Sequence, residues 1–167
     1  MSETIIRAAD AADIAAITAI YAHAVRYGTA TFEIEPPNEA EMTERLAALV
    51  AGGFPYLVAE CAGQVRGYAY AGRHHTREGY RYTVEDSIYV APEFHCRGIG
   101  LALIGRLLSE ATLRGFRQMV AVIGDSDNAA SIALHRAAGF RAVGTFEAVG
   151  YKFGRWIDTV MMQRAIG

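Results

Sequence analysis

Two closely spaced glycines mark a position where this chain could bind an anion. Gly98 and Gly100 stand between a β-branched and aromatic stretch, residues 87–90, and a run of leucines and isoleucines with helical spacing. Glycines let a backbone turn tightly with its N–H groups exposed, and the first N–H groups of a helix lack internal acceptors. Those groups also lie at the positive end of the helix dipole, so a phosphate or pyrophosphate could bind without a charged side chain. Arg97 would strengthen such a site.

The glycine spacing excludes two common nucleotide-binding patterns. A Rossmann fingerprint requires a third glycine or alanine three residues after the second, where Leu103 stands. A P-loop requires Gly-Lys followed by serine or threonine, and the sequence has no such triplet. Glycines that serve only to turn the chain are the alternative to an anion site.

Glu85 and His135 are candidates for moving protons. Glu85 comes just before the strand-like stretch, and the period-two alternation of a strand puts Glu85 and Asp86 on opposite faces. His135 follows Asn128 by seven residues in a helical pattern, about two turns along the same face. A histidine can accept or donate a proton near neutral pH. A solvated carboxylate and a packed or capping histidine are the alternative readings.

The histidines and cysteines do not form a metal-site pattern. His74 and His75 are adjacent in an extended segment, so we expect their side chains on opposite faces, and no cysteine or carboxylate spacing completes a site with His95. We therefore expect no metal. Without a secretory segment, Cys61 and Cys96 are expected to be reduced thiols. Cys96 could be a nucleophile or simply a small turn residue.

Length and composition indicate one soluble domain. The chain of 167 residues is long enough for a single domain, residues 1–167, and short for two. Apolar residues make up 52% and charged residues 20%, and no 18-residue window is free of charge, so we expect no membrane span. Charges around the N-terminal isoleucines argue against a secretory segment, and we expect a cytoplasmic protein. The net charge of −2 gives no basic face for nucleic acid.

The hydrophobic periodicity predicts an α/β layered domain with a mixed sheet, in the order strand, two helices, three strands, helix, strand, helix and two strands. The predicted strands are residues 5–8, 56–60, 65–71, 87–90, 119–123, 140–146 and 157–163. The predicted helices run from Asp10 or Asp13 to Gly28, from Asn38 to Gly52, from Gly100 to Gly115, and over residues 129–138. The wholly apolar strand at 119–123 is expected to be buried on both faces.

The glycine turn resembles the acyl-CoA signature of the GNAT acetyltransferases, which reads arginine or glutamine, two free positions, glycine, one free position, then glycine or alanine. Gly98 and Gly100 match it, whereas His95 departs from it at the first position. The resemblance covers the whole chain and implies the GNAT fold, a central mixed and mostly antiparallel sheet flanked by helices. In that fold the strands at 87–90 and 119–123 splay apart, and the pantetheine arm of acetyl-CoA lies in the opening.

Four separated blocks are similar to the phosphinothricin and methionine sulfoximine N-acetyltransferases. They are residues 31–33, 80–90, 128–135 and 150–158. The resemblance implies acetyl-CoA-dependent N-acetylation of the α-amine of a small amino-acid-like substrate, of the phosphinothricin, methionine sulfoximine or methionine sulfone type. It assigns Glu85 to catalysis. It places His135 where many GNAT enzymes have a tyrosine that acts as the general acid, and the direction of proton transfer at His135 stays open. It also implies a homodimer, and the aromatic residues of a glycine-broken loop at 151–156 would suit an interface.

The resemblance also assigns binding residues. Those expected to hold acetyl-CoA are Ile88, Tyr89, Val90, His95, Cys96, Arg97, Gly98, Ile99, Gly100, Leu101, Asn128 and Ser131. Those expected to contact the amine substrate are Phe32, Glu33, Arg73, Tyr80, Arg81, Thr83 and Lys152. The cations among them suit an α-carboxylate or a phosphinate, with surface solvation as the alternative. Two other functions stay open: acetylation of a protein N-terminus or lysine, and a non-catalytic acyl-CoA-binding module.

Overall fold

A computed structural model describes residues 3–167, which form a seven-stranded sheet with helices on both faces. The strands are β1 (Thr4–Ala8), β2 (Tyr56–Cys61), β3 (Gln64–Arg73), β4 (Thr83–Val90), β5 (Gln118–Gly124), β6 (Arg141–Lys152) and β7 (Arg155–Ala165). The helices are α1 (Ile14–Tyr27), α2 (Glu39–Ala51), α3 (Ile99–Leu113) and α4 (Ala129–Ala137). Every helix and strand predicted from the sequence is present in the predicted order, which confirms the fold class.

The sheet opens between its two parallel strands. The strand order is β1-β2-β3-β4-β5-β7-β6, and β4 runs parallel to β5 while the other neighbours are antiparallel. The pairing of β4 with β5 ends at Asp86 and Ala121. Within the described part of the chain, residues 87–90 have no strand partner on that side. The predicted splay is therefore present, and it leaves a row of backbone hydrogen-bonding groups facing the opening.

The two faces of the sheet carry separate cores that fix the helices around this opening. Along β2, Leu57 and Ala59 face the core that contains α3, whereas Val58 faces the core that contains α1 and α2. Leu103 and Leu107 of α3 are fully buried. Burying one leucine side chain contributes about 1.5–3 kcal/mol to folding. The first turn of α3, which follows the glycine turn, is thus held firmly beside the end of β4.

Two predictions about the direction of side chains were wrong. Residues 119–123 were expected to be buried throughout, yet Val122 is 43% exposed because β4 has already separated from β5 at that point. His74 and His75 were expected on opposite faces. They lie beyond the end of β3, where the backbone is irregular, and their rings are in contact with centroids 4.4 Å apart.

The C-terminal aromatic segment is the end of a β-hairpin and not a loop. β6 and β7 pair as far as Lys152 and Arg155, and Phe153 and Gly154 make the turn with φ angles of 52° and 72°. Two successive positive φ angles are what a tight hairpin turn requires. The strand pattern of β6 is obscured in sequence by glycines and by a shift of register between Phe146 and Gly150.

Candidate active site

The opening between β4 and β5 continues into a cleft of about 760 Å³. It is lined by α1, the end of β4, the glycine turn and α4. The cleft brings together most of the residues expected to hold acetyl-CoA, namely Ile88, Tyr89, Val90, His95, Cys96, Gly98, Ile99, Gly100, Leu101, Asn128 and Ser131. Arg97 is not among the lining residues of the described chain. Its guanidinium lies 4.9 Å from the centre of the Phe94 ring.

The glycine turn has the backbone geometry of an anion site. Gly98 has a φ of 80°, and α3 begins directly after it. The first helical hydrogen bond runs from the Ala102 N–H to the Gly98 carbonyl, 3.0 Å, so the N–H groups of residues 99–101 precede the internal bonding of the helix. A Cβ on Gly100 would lie 3.3 Å from Leu134, which shows how closely α4 approaches here. The positive φ of Gly98 favours glycine, whereas a side chain at position 100 would require the side chain of Leu134 to shift by a few tenths of an ångström.

Two polar residues near the cleft, His95 and Asn128, already have local hydrogen-bond partners. The Nε2 of His95 donates to the Val90 carbonyl at 2.9 Å, since a carbonyl can only accept. Asn128 caps α4 by accepting from the Ser131 N–H at 3.2 Å. The hydrogen bond of His95 ties the glycine turn to the end of β4. Cys96 is an exposed free thiol with a φ of 58°, and Cys61 is a buried free thiol.

A smaller cavity of about 50 Å³ adjoins the cleft where β4 and β5 separate. It is lined by residues of both strands, including Asp86 and Ser87, and by His135 of α4. The residues that line both spaces are Ala30, Ile88, Tyr89, Asn128 and Ser131. The cleft and the cavity are therefore neighbours, and His135 lies at the inner end of the opening.

His135 and Asp86 form a buried pair at that inner end. The Nε2 of His135 lies 2.9 Å from Oδ2 of Asp86, and their side chains are 3% and 1% exposed. Nδ1 lies 2.8 Å from the Ser131 carbonyl and must donate to it. A doubly protonated ring satisfies both acceptors.

Asp86 also sets the charge of His135. Burial opposes the charged ring and is the largest single influence, yet the hydrogen bond and charge of Asp86, together with the Ser131 carbonyl, raise the pKa of His135 above its ordinary value. Our sequence reasoning did not select Asp86. The available signal was an aspartate on the strand face shared with the fully buried Val84.

Glu85 lies outside both cavities, on the strand face opposite Asp86. It is half-buried, and its Oε1 lies 3.1 Å from Nδ1 of His74. The rings of His74, His75 and Tyr80 contact one another, with centroids 4.4 to 5.7 Å apart. The structure therefore places Glu85 in a cluster with one predicted substrate residue, Tyr80.

The other predicted substrate residues fall into two groups, and within residues 3–167 none of them lines the cleft. Arg73, Arg81 and Thr83 lie near the Glu85 cluster, at the end of β3 and the start of β4. Phe32 and Glu33 lie in the segment between α1 and α2, where Glu33 accepts from Arg45 at 2.8 Å. Arg81 stacks on Tyr82 at 4.5 Å.

Lys152 requires a correction. It was expected to offer a free cation to the substrate, but its side chain is buried, and its Nζ donates to the carbonyls of Gly28 and Thr31, both at 2.8 Å. Burial lowers its pKa. The ammonium is therefore bound to the backbone of the segment between α1 and α2.

Sequence reasoning missed the wall contributed by α1. His23, Ala24 and Tyr27 line the cleft, and the rings of His23 and Tyr27 are in contact with centroids 4.9 Å apart. The spacing of four residues put both rings on one face of the helix, which was a usable signal.

Within residues 3–167, no helix is long and apolar enough to cross a membrane, and no group of side chains is placed to hold a metal ion.

Comparison with known proteins identifies the family. An acetyltransferase (GNAT) domain matches residues 6–161. The chain is 51% identical to phosphinothricin N-acetyltransferase of Alcaligenes faecalis over 92% of this chain and 78% of that protein. It is 45% identical to L-methionine sulfoximine/L-methionine sulfone acetyltransferase of Salmonella typhimurium over 95% and 92%. The crystal structure of a phosphinothricin acetyltransferase from Sinorhizobium meliloti in complex with AcCoA aligns with a TM-score of 0.96 and 49% identity, over 100% of this chain and 90% of that one. The chain belongs to the GNAT acetyltransferase family and is an N-acetyltransferase.

Proposed function

We propose that this chain transfers the acetyl group of acetyl-CoA to the α-amine of a small amino-acid-like substrate of the phosphinothricin, methionine sulfoximine or methionine sulfone type. The observation that carries the proposal is the separation of β4 from β5 after Asp86, which places the glycine turn and a buried histidine at two adjoining spaces with shared lining residues. The names of the relatives support the substrate class.

The residues of the cleft fit acetyl-CoA. The unpaired edge of residues 87–90 can bind the amides of an extended pantetheine arm as a neighbouring strand would. The N–H groups at the start of α3 can bind the pyrophosphate. When bound, acetyl-CoA supplies an acetyl group activated as a thioester. These backbone groups would orient it along the opening, with the thioester towards the inner end.

Glu85 is the proposed base for the incoming amine. An α-amine is mostly protonated at neutral pH, and it attacks only after losing a proton. The carboxylate of Glu85 is half-buried and partnered by His74, so it is held in place yet open to water. Because Glu85 lies beside the cavities and not in them, the proton would pass to it through a water molecule.

His135 is the proposed source of positive charge at the reacting centre. Both ring nitrogens are hydrogen-bonded, so His135 has no lone pair free to take a proton from the amine. The imidazolium beside Asp86 instead stabilises the negative charge that develops as the thiolate leaves, while the thiolate takes its proton from water. This assigns His135 an electrostatic role in the reaction.

We also propose a cytoplasmic homodimer. Tyr151, Phe153 and Trp156 at the tip of the β6–β7 hairpin are 57 to 67% exposed, and most of the edge strand β6 is exposed as well. Large exposed aromatic residues on an unpaired edge strand are typical of surfaces that bind another protein. A second copy of this chain is the proposed partner.

A thiol-release assay with acetyl-CoA and a panel of amines tests the proposed activity. We expect release with L-phosphinothricin or L-methionine sulfoximine, and little release with basic peptides or with peptides bearing a free N-terminus. Turnover with peptides alone would replace the proposed substrate class. Binding of acetyl-CoA without thiol release from any amine would indicate a binding module.

A further inference from the structure

The segment that links α1 to α2 is fixed in place although it has no regular secondary structure. We call residues 28–33 the cleft loop. Gly28 and Ala30 line the cleft, and Ala30 also lines the cavity beside His135. The loop thus forms the wall of the opening at its inner end. Its position determines the space in which an amine can approach the thioester.

Lys152 binds the cleft loop at two points, Gly28 and Thr31. Its Nζ donates to the carbonyls of Gly28 and Thr31, each at 2.8 Å, and its side chain is 3% exposed. Of the 16 lysine and arginine residues in the sequence, Lys152 is the only lysine. Within residues 3–167 it forms no ion pair with a carboxylate. Burying this ammonium is unfavourable, and its pKa is lowered by burial although the charge of Glu33 partly opposes that effect, so the two carbonyls of the loop are its hydrogen-bonding compensation.

A second anchor fixes the middle of the loop. The hydroxyl of Thr29 donates to Oδ2 of Asp125 at 2.8 Å, and Arg155 donates to the same oxygen at 2.6 Å. Asp125 is 5% exposed and has a φ of 76°, which is uncommon outside glycine but more frequent for aspartate than for most residues. Its carboxylate is held against the loop by the bonds from Thr29 and Arg155.

The strands opposite the loop carry glycines where it approaches. A Cβ on Gly124 would lie 2.2 Å from the Thr29 carbonyl, and a Cβ on Gly150 would lie 2.3 Å from the Phe32 ring. Neither distance is sterically allowed. β5 and β6 thus accept the loop in direct contact with their backbones. On its other side, the loop is bound to α1 by the hydroxyls of Tyr21 and Thr31, 2.8 Å apart.

We propose that Lys152 and Asp125 are positioning residues that set the acceptor end of the active site through the cleft loop, without touching the substrate. The proposal rests on the proposed function, because it assigns the loop to the amine and not to acetyl-CoA. Lys152 and Gly150 lie on β6, Gly124 ends β5, and Asp125 follows it directly. All four residues contact the cleft loop. The loop shares the cleft with the acetyl-CoA residues of β4 and α3 through Gly28 and Ala30, and through Ala30 it reaches the inner cavity beside His135.

The variant Lys152→Met removes the ammonium and keeps most of the side chain. It leaves two buried carbonyls without their donor, and such a loss corresponds to a change on the order of tenfold in an equilibrium constant. We expect the KM for L-phosphinothricin to rise about tenfold or more, while the acetyl-CoA Kd measured by calorimetry stays within about twofold. The matched control is Arg141→Met, which removes an exposed cation from the other end of β6 and should change neither value.

Three outcomes would overturn the proposal: an unchanged KM for the amine, an equal rise in the amine KM and the acetyl-CoA Kd, or a response of Arg141→Met that matches Lys152→Met. If Lys152→Met does not fold, Thr29→Val decides, because it keeps the shape of the residue and removes only the bond to Asp125. An amine KM that rises at least threefold in this variant, with the acetyl-CoA Kd unchanged, supports the proposal, and a smaller rise overturns it.

A measurement that does not depend on turnover separates this proposal from the proposed function. Because the chain has one lysine, labelling with [¹⁵N]lysine gives a single side-chain Nζ resonance. We expect a nonreactive amine analogue to shift this resonance more than acetyl-CoA does. A wild-type enzyme that acetylates no amine would refute the proposed function alone. A resonance that responds equally to both ligands, or to acetyl-CoA alone, would refute the positioning role.

Discussion

The buried pair of His135 and Asp86 makes stability depend on pH in a way that Asp86→Asn should abolish. The two side chains are nearly inaccessible to solvent and 2.9 Å apart. Removing one partner of such a pair typically costs about 3–5 kcal/mol, because the remaining charge is buried without compensation. Asparagine keeps the size of the side chain and removes its charge. The perturbation therefore tests whether the pair is ionic.

The sign follows from the raised pKa of His135. In the unfolded chain a histidine has a pKa of about 6.5. Below that pH the ring is charged in both states, and the pair contributes fully to stability. As pH rises through the higher pKa of the folded state, the ring loses its proton and the contribution disappears. Asp86→Asn should thus lower the free energy of unfolding most at about pH 6, by about 3–5 kcal/mol, and this difference should shrink as pH rises.

Urea unfolding followed by circular dichroism at several pH values between about 6 and 9 measures this difference. Asp127→Asn is the matched control, because Asp127 is exposed and the chemical change is the same. It should follow the wild type at every pH. Parallel curves for the wild type and Asp86→Asn would show that the pair is not ionic, and the proposed electrostatic role of His135 would then lose its physical basis.

Three further perturbations test other parts of the account. In steady-state kinetics, Glu85→Gln should lower kcat by a factor on the order of 10²–10⁴ with little change in the acetyl-CoA KM, since only the basic oxygen is lost. Wild-type turnover in this variant would show that the carboxylate has a structural role and is not the base. Gly98→Val places a β-branched residue at a φ of 80°, so the affinity for acetyl-CoA measured by calorimetry should fall strongly. Unchanged affinity in a folded variant would exclude the glycine turn as the pyrophosphate site. If the proposed homodimer forms, Trp156→Ser should convert it to a monomer in light scattering, because Trp156 is 67% exposed at the proposed interface. A monomeric wild type at micromolar concentration would remove the proposed interface.

The fold could be predicted from sequence where the signals are local. Asn38 caps α2 by accepting from the Glu41 N–H, as its residue type suggested. Gly98 and Gly100 lie at the start of α3, where the spacing placed them. The strand of the glycine-turn stretch was predicted only from residue 87, whereas β4 begins at Thr83, so Glu85 and Asp86 lie within the strand and not just before it.

The parts that the sequence did not reveal depend on contacts between distant residues. Asp86 and His135 are 49 positions apart, and Lys152 is 124 positions from Gly28. No local pattern distinguishes a lysine that binds backbone carbonyls from one that faces solvent. The length of β6 was underestimated for a related reason: Gly144 and Gly150 weaken its strand pattern, while pairing with β7 maintains the strand.

The most direct test of the central claim is to identify the product. The enzyme is incubated with acetyl-CoA and L-phosphinothricin, and the products are analysed by mass spectrometry together with an assay for free thiol. The account predicts one N-acetylated amino acid for each thiol released, and no product when the α-amine is blocked by prior acylation. Thiol release without an acetylated amine, or acetylation that persists with the α-amine blocked, would contradict it.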